Sequence, residues 1–159
     1  MKAIDKLTDE QKAFIAGFAE GDSCINAQVV RRSDYLLGFQ IRVSFTFYQA
    51  TKRKWFLSYL QKQVGMGTIR DRGDKVSELA IVGAEQVFPL VTALMPFIRM
   101  KNRQCFLILA IIKKLPHTKR DREILIETAR LADKFEFLND SKKRTVTAQT
   151  IIDEFNKNS

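Results

Sequence analysis

Residues 37–48, LGFQIRVSFTFY, alternate without a break: Leu37, Phe39, Ile41, Val43, Phe45 and Phe47 are apolar, with Gly38, Gln40, Arg42, Ser44, Thr46 and Tyr48 between them. Side chains of a strand point to opposite faces in turn, so this stretch is a long β-strand with one buried face. It commits the chain to a sheet covered on one side, because a register slip of one residue would turn the whole apolar row into water. The other side carries Gln40, Arg42, Ser44 and Thr46, all hydrogen-bonding groups and none acidic.

The neighbouring segments supply partners for that strand. From Cys24 onward, Ile25, Ala27 and Val29 alternate with Asn26, Gln28, Val30 and Arg32, and Ser33-Asp34 gives the turn. A second hairpin, GTIRDRGDKVSELAIVG, bends at Arg72-Gly73-Asp74 and sets Arg70, Arg72, Glu78 and Ala80 on an open face. A helix precedes each hairpin. Thr8 and Gln11 have capping-box spacing and predict a helix over 9–20. ATKRKWFLSYLQKQV places Trp55, Phe56, Tyr59 and Leu60 near helical spacing and closes at Gly65. Further helices are expected over about 84–95, with Pro89 as an early break, and over 101–115, 122–137 and 147–156. The order αββαββα predicts an α+β fold: one four-stranded antiparallel sheet, helices on one face, extra C-terminal helices. We expect a single domain over 1–159, with a motif helix at about 8–22, the sheet at about 24–82 and a helical part at about 84–156.

Charge narrows the partners. The chain carries 27 Lys and Arg against 18 Asp and Glu, a net +9 with pI near 9.7, which points to a polyanion. The longest apolar run, CFLILAII at 105–112, is far shorter than the ~20 residues of a membrane span. Cys24 and Cys105 stand apart with no CxxC pair, and His117 is the single histidine, so zinc and Ser-His chemistry are poor fits. The N-terminal MKAIDKLTDEQK has no apolar signal core and is not Arg/Ser-rich, so the protein is expected to be cytosolic or made where it works.

A β-ribbon fits the major groove of DNA, where Arg pairs with guanine and Gln with adenine. Gln28, Arg32, Gln40, Arg42, Arg70 and Arg72 are the right types at period-two spacing, with Ser44 and Thr46 as further hydrogen-bonding groups. Val30 and Ala80 suit thymine methyls. Glu78 suits a cytosine amino group or the orientation of a neighbouring arginine, and both readings stand. An RNA-binding sheet would show stacking aromatics, but the phenylalanines lie on the core side and only Tyr35 and Tyr48 are exposed candidates. The competing reading is an ordinary solvated face; the charge surplus favours duplex DNA.

FIAGFAEGDSC, residues 14–24, sets Ala16 and Gly17 inside an apolar helix that finishes on Gly21-Asp22. Taken alone, it reads as a helix with a close neighbour and a solvated end. Together with the strand pair that follows it, and with FYQATKRKWFL, GTIRDRG, FIRMKNRQ and LNDSK, the chain resembles a LAGLIDADG homing endonuclease from about residue 8 to 147. The motif occurs once, so the likeness is to the single-motif, homodimeric kind encoded in algal organellar introns.

The resemblance implies that the motif helices of two subunits pack side by side through Phe14, Ala16 and Gly17. Each would deliver one metal-binding carboxylate, Asp22, beside the backbone carbonyl of Gly21. It implies that Gln49 positions the attacking water, that Arg53 belongs to the solvent network, that Lys101 lies near the cleaved phosphate and that Lys142 contacts the DNA backbone. For Arg53 and Lys101, phosphate binding and a solvated helix face fit the residues alone equally well. The implied cofactor is Mg²⁺, with Mn²⁺ able to substitute. The implied substrate is a long pseudo-palindromic DNA duplex cut across the minor groove to leave 3′ overhangs; no membrane and no small-molecule substrate is expected. The implied location is an organelle, the chloroplast or else the mitochondrion, with an organellar gene and no transit peptide. On the same fold the alternative is an intron RNA maturase or a DNA binder that no longer cleaves; Asp22, Gln49 and Lys101 together favour cleavage. The chain departs from the motif in three places. Glu20 replaces the usual Asp at a position not expected to bind metal. Ser23 replaces the Gly after the acid, which bears on how Asp22 is placed. Glu78 follows a one-residue difference in the second hairpin turn.

Overall fold

A reciprocal cap starts the first helix: Thr8 Oγ1 accepts from the Gln11 N–H at 3.2 Å and Gln11 Oε1 accepts from the Thr8 N–H at 2.8 Å. The computed structural model describes residues 2–140 and 143–158. After the cap come α1 (Asp9–Asp22), β1 (Ser23–Arg31), β2 (Phe39–Ala50), α2 (Lys54–Val64), β3 (Thr68–Asp71) and β4 (Val76–Val82). They are followed by α3 (Ala84–Leu94), α4 (Asn102–Lys114), α5 (Arg122–Asp133), α6 (Phe135–Leu138) and α7 (Ala148–Lys157). The strands form one four-stranded sheet in the order β1-β2-β4-β3. The α+β reading and the four-stranded antiparallel sheet hold. Contacts divide the chain into two compact units, residues 1–25 with 44–105 and residues 26–43 with 106–159.

In the first unit, β2 and β4 are antiparallel with Tyr48 opposite Glu78 and Thr46 opposite Ala80, while β3 and β4 set Arg70 opposite Glu78. Phe45, Phe47, Leu79 and Ile81 are fully buried, as the alternation requires. Each side chain of this size contributes about 1.5–3 kcal/mol on burial. Phe18 of α1 packs on Phe47 with ring centroids 6.0 Å apart and on Phe56 at 4.8 Å. Gly65 ends α2 in the left-handed region at φ 70°, where a Cβ would meet the Ala3 side chain at 2.6 Å.

Several expectations are corrected here. Pro89 does not break α3, which runs on to Leu94. A proline frees the carbonyl four residues back, and that carbonyl, on Glu85, accepts from Lys2 Nζ at 3.4 Å. The buried stripe of α2 is Leu57, Leu60 and Val64, which leaves Trp55 and Tyr59 68% and 41% exposed. Leu37 lies in the turn before β2, which begins only after Gly38 at φ 81°. The first helix runs two residues past the 9–20 read from its cap and ends where the motif helix of about 8–22 was expected to, so Gly21 and Asp22 are helical.

In the second unit, α5 buries Leu125, Ala129 and Ala132, and α7 buries Ala148 and Ile151. Phe155 meets Phe39 edge-on at 6.5 Å and carries the Arg122 guanidinium at 4.6 Å. Arg144 ties this unit together: its guanidinium donates to the Ala27 and Ala132 carbonyls and to Asn26 Oδ1. Burial pushes the Asp133 carboxyl up, and its Oδ2 accepts from the Ala148 N–H at 3.0 Å.

Candidate active site

The C-terminal end of α1 is built from main-chain groups and four side chains. Gly21 and Asp22 are exposed, and the Asp22 carboxylate has no hydrogen-bond partner among the described residues. Ser23 is extended at φ −137°, a conformation any residue adopts, and its hydroxyl donates to the Ala19 carbonyl at 2.6 Å. Serine in place of glycine therefore caps the helix and leaves the entry to β1 unstrained.

Lys101 lies over the same helix end. Its ammonium donates to the Ala19 carbonyl at 2.9 Å and to the Ser23 carbonyl, with Ser23 Oγ at 3.5 Å. Unpaired carbonyls make a helix C-terminus negative, and a lysine there is favoured. Burial lowers the Lys101 pKa, opposed by the nearby Cys24, Glu20 and Asp22. The backbone under Lys101 is held from α1: Glu20 Oε2 accepts from the Arg99 and Met100 N–H groups at 3.0 and 2.9 Å, and Oε1 from the Lys101 N–H at 3.1 Å. Burial raises the Glu20 carboxyl, and the N–H groups of Met100, Lys101 and Arg99 outweigh it, so its pKa falls below the ordinary value.

Gln49 and Arg53 make a second pair. Gln49 Oε1 accepts from its neighbour Ala50 N–H at 2.9 Å and from Arg53 Nε at 3.0 Å. A guanidinium only donates, so the amide oxygen must face it. The Gln49 NH₂ is thereby left as two donors without a partner among the described residues. No hydrogen bond links this pair to Lys101 or Asp22 among the described residues.

No group of three or more His, Cys, Asp or Glu able to hold a metal is present among the described residues. The donors at this end of α1 are one carboxylate and backbone carbonyls. That set fits Mg²⁺, which takes few protein oxygens and keeps water. It does not fit a soft metal, which would require thiolate or imidazole.

The residues expected at a dimer contact divide. Phe14 is 54% exposed and Gly17 is open, with nothing within 4 Å of a built Cβ. Ala16, expected on the same face, is fully buried with Ile15 and Ala19 in the unit's own core. The open face of α1 is instead Ala13, Gly17 and Gly21, spaced four apart on one helix side. That spacing was legible in the sequence and was missed because Ala16 adjoins Gly17. Trp55 and Tyr59 extend the exposed area, and the half-buried Phe56 joins them to Phe14, the two phenylalanine rings lying 6.1 Å apart.

The first unit presents Arg70 and Arg72 exposed, Ser44 and Ala80 half-buried and Thr46 buried. Glu78, expected on the open face, is only 7% exposed because the Arg70 guanidinium lies on it in an ion pair. Glu78 thus faces Arg70, the neighbouring arginine of one of its two readings. Arg72 sits 5.6 Å from the Tyr48 ring centroid, so Tyr48 joins this group. Burial, helped by Cys24 and Glu78, pushes the Tyr48 phenol up and keeps it a neutral donor.

In the second unit Gln28, Val30, Gln40 and Arg42 are half-buried on their strands. Arg32 donates to both oxygens of Asp34 at 2.9 and 2.7 Å and to Gln40 Oε1 at 2.9 Å, while its guanidinium stacks on Tyr35 at 5.0 Å. Lys119 reaches the Tyr35 ring at 5.4 Å. Lys142 lies outside the described residues.

Comparison with known proteins gives the family of the chain. The sequence profile described as LAGLIDADG endonuclease matches residues 15–102. DNA endonuclease I-CvuI of Chlorella vulgaris is 48% identical over 139 residues, 87% of this chain and 86% of that protein. DNA endonuclease I-CreI of Chlamydomonas reinhardtii is 35% identical over 146 residues, 92% of this chain and 89% of that protein. The solved structures of I-CvuI, one with the I-CreI target in the presence of Mg and uncleaved DNA, one with its own target in the presence of Ca, superpose with TM-score 0.89 at 44% identity. Both cover 93% of this chain and 94% of theirs.

Proposed function

The chain belongs to the LAGLIDADG endonuclease family, and from that premise we propose that it is a homodimeric, Mg²⁺-dependent, site-specific double-strand DNA endonuclease that initiates intron homing. One observation carries the reading: α1 ends on an exposed carboxylate, Asp22, while the face of the same helix at Ala13, Gly17 and Gly21 is open to close approach. Small residues four apart let two helix backbones meet, and a second copy then brings a second Asp22 to the same place. The exposed aromatics Phe14, Trp55 and Tyr59 form an apolar area of the kind that marks an interface.

In this reading Asp22 and the Gly21 carbonyl would hold Mg²⁺, which would supply positive charge against the scissile phosphate and make water a better nucleophile. The Gln49 amide donors orient water and are themselves fixed by Arg53. Lys101 adds a fixed positive charge near the cleaved bond, where preorganised charge is worth most in the transition state. The strands and their turns read base edges through Gln28, Val30, Gln40 and Arg42 on strands and Arg32 and Tyr35 in the turn of the second unit, and through Ser44, Thr46, Arg70 and Ala80 on strands and Arg72 in the turn of the first. Lys142 contacts the backbone. A dimer reads a long pseudo-palindromic site and cuts across the minor groove to leave 3′ overhangs. Mn²⁺ substitutes for Mg²⁺, and the gene and protein belong to an organelle, the chloroplast.

The test is to incubate the protein with a plasmid library carrying intron-insertion junctions, with Mg²⁺ or Ca²⁺, and to sequence the ends. Linear product with 3′ overhangs is expected with Mg²⁺. No linear product, with stimulated RNA splicing instead, would replace this reading with the maturase one.

A further inference from the structure

Glu20 had no task in the sequence, since its place in the motif is not that of the metal-binding acid. Its surroundings give it one. The N–H groups of Arg99, Met100 and Lys101 all converge on its carboxylate, at 3.0, 2.9 and 3.1 Å. Both oxygens accept from main chain, so this carboxylate is committed to the turn at residues 99–101. Three consecutive backbone donors on one anion form a rigid turn, because a carboxylate that accepts several N–H bonds fixes each donor at once. Lys101 is the last residue of that turn and Asn102 opens α4. The side chain leaving this fixed point returns to the end of α1, where its ammonium meets the Ala19 and Ser23 carbonyls.

Lys101 is thus tied to α1 at two points: its backbone to Glu20, its ammonium to residues 19 and 23, one on each side of Gly21-Asp22. A long lysine side chain has much rotamer freedom, and only a fixed origin makes its charge a placed charge. We propose that Glu20 is a positioning residue for DNA cleavage, a carboxylate clamp on residues 99–101 that sets where the Lys101 ammonium stands relative to Asp22. The inference rests on the endonuclease reading for its consequence in catalysis, while the clamp itself is independent of that reading.

Glu20→Gln keeps the size of the side chain but turns one acceptor into a donor that faces an N–H. Amide hydrogen exchange of the full-length protein is read first. Exchange at Arg99, Met100 and Lys101 is expected to rise by roughly tenfold or more while the rest of α1 keeps its protection. Unchanged exchange there overturns the clamp.

Cleavage is read second, on a duplex recovered from the library with the unaltered protein, in single turnover at saturating enzyme. Glu20→Gln is expected to lower the rate by about 10–100-fold, as loss of an outer partner of a working group does. Kd for the same duplex in Ca²⁺ should stay within about twofold, a split that separates positioning from binding. Adding Glu20→Gln to Lys101→Met should cost no more than about twofold further, because a clamp has nothing left to position. An equal loss in both backgrounds, or a loss of binding in step with cleavage, makes Glu20 merely structural and overturns the proposal. If Glu20→Gln does not accumulate as folded protein, Glu20→Asp, a carboxylate one methylene short, carries the same comparison. If the unaltered protein cuts no duplex, the endonuclease reading fails, and hydrogen exchange still decides the clamp.

Discussion

At the end of α1 the polar groups are tied to main chain: Glu20 takes three backbone N–H groups and Lys101 gives to two carbonyls. On the strands and turns that hold the proposed recognition residues, the charged groups are tied to one another. Arg70 lies on Glu78, Arg32 on Asp34 and Gln40, and Arg72 over Tyr48. Backbone partners cannot rotate away, whereas an exposed guanidinium such as that of Arg70 or Arg32 can exchange one partner for another. The difference suits two tasks. A cleaving centre gains from charge already in place. A surface that must meet base edges and phosphates gains from arginines held ready in pairs that DNA can replace.

The sharpest break of this comparison is at the fixed centre. Asp22→Asn should lower cleavage by at least roughly 10⁴-fold, about 5.5 kcal/mol of transition-state stabilisation, and leave Ca²⁺-supported binding nearly unchanged, as read by filter binding beside plasmid linearisation. Salt should separate the two regions next. A dimer of these chains carries a formal 9 + 9 = +18, and Kd should weaken by roughly 10³-fold or more between 50 and 200 mM salt if six or more phosphates are neutralised. The single-turnover rate of the fully bound complex should barely move.

A third test removes the second copy. A Cβ at Gly17 meets nothing within one chain, so Gly17→Leu should keep its folded circular dichroism spectrum. The dimer should weaken by about 100-fold, or about 2.7 kcal/mol, by sedimentation equilibrium, and cleavage should fall with it. The smallest effect is expected at Glu78. Glu78→Gln loosens Arg70, and discrimination at the base pair that Arg70 reads should fall by about tenfold, within the 1–3 kcal/mol of a paired contact, in a competition assay over single-base variants.

Much of this was written plainly in the sequence. The alternation of residues 39–47, the Thr8 cap and the Gly65 stop are local signals, and each stands as read. What escaped depends on tertiary partners. Pro89 stays inside α3, and the Glu85 carbonyl it frees is met by Lys2, distant in sequence. Ala16 and Gly17 are adjacent small residues, and only the burial of Ile15 and Ala19 tells which one faces inward. Glu20 carried no signal of its role beyond its charge, since its partners lie some eighty residues away in a turn of main-chain donors with no side-chain signature. Glu78 is the intermediate case: both of its readings were legible, and the cross-strand register sets it beside Arg70.

The central claim is that two chains complete one cleaving centre. Coexpression of unaltered protein with Asp22→Asn in equal amounts, followed by measurement of plasmid linearisation per mole of dimer, tests it most directly. If both carboxylates are needed, the rate falls to about a quarter of that of the unaltered protein, the share of dimers with two intact chains in random pairing. A fall to about half, proportional to the fraction of intact chains, is the result expected of chains that cut independently and would contradict the account.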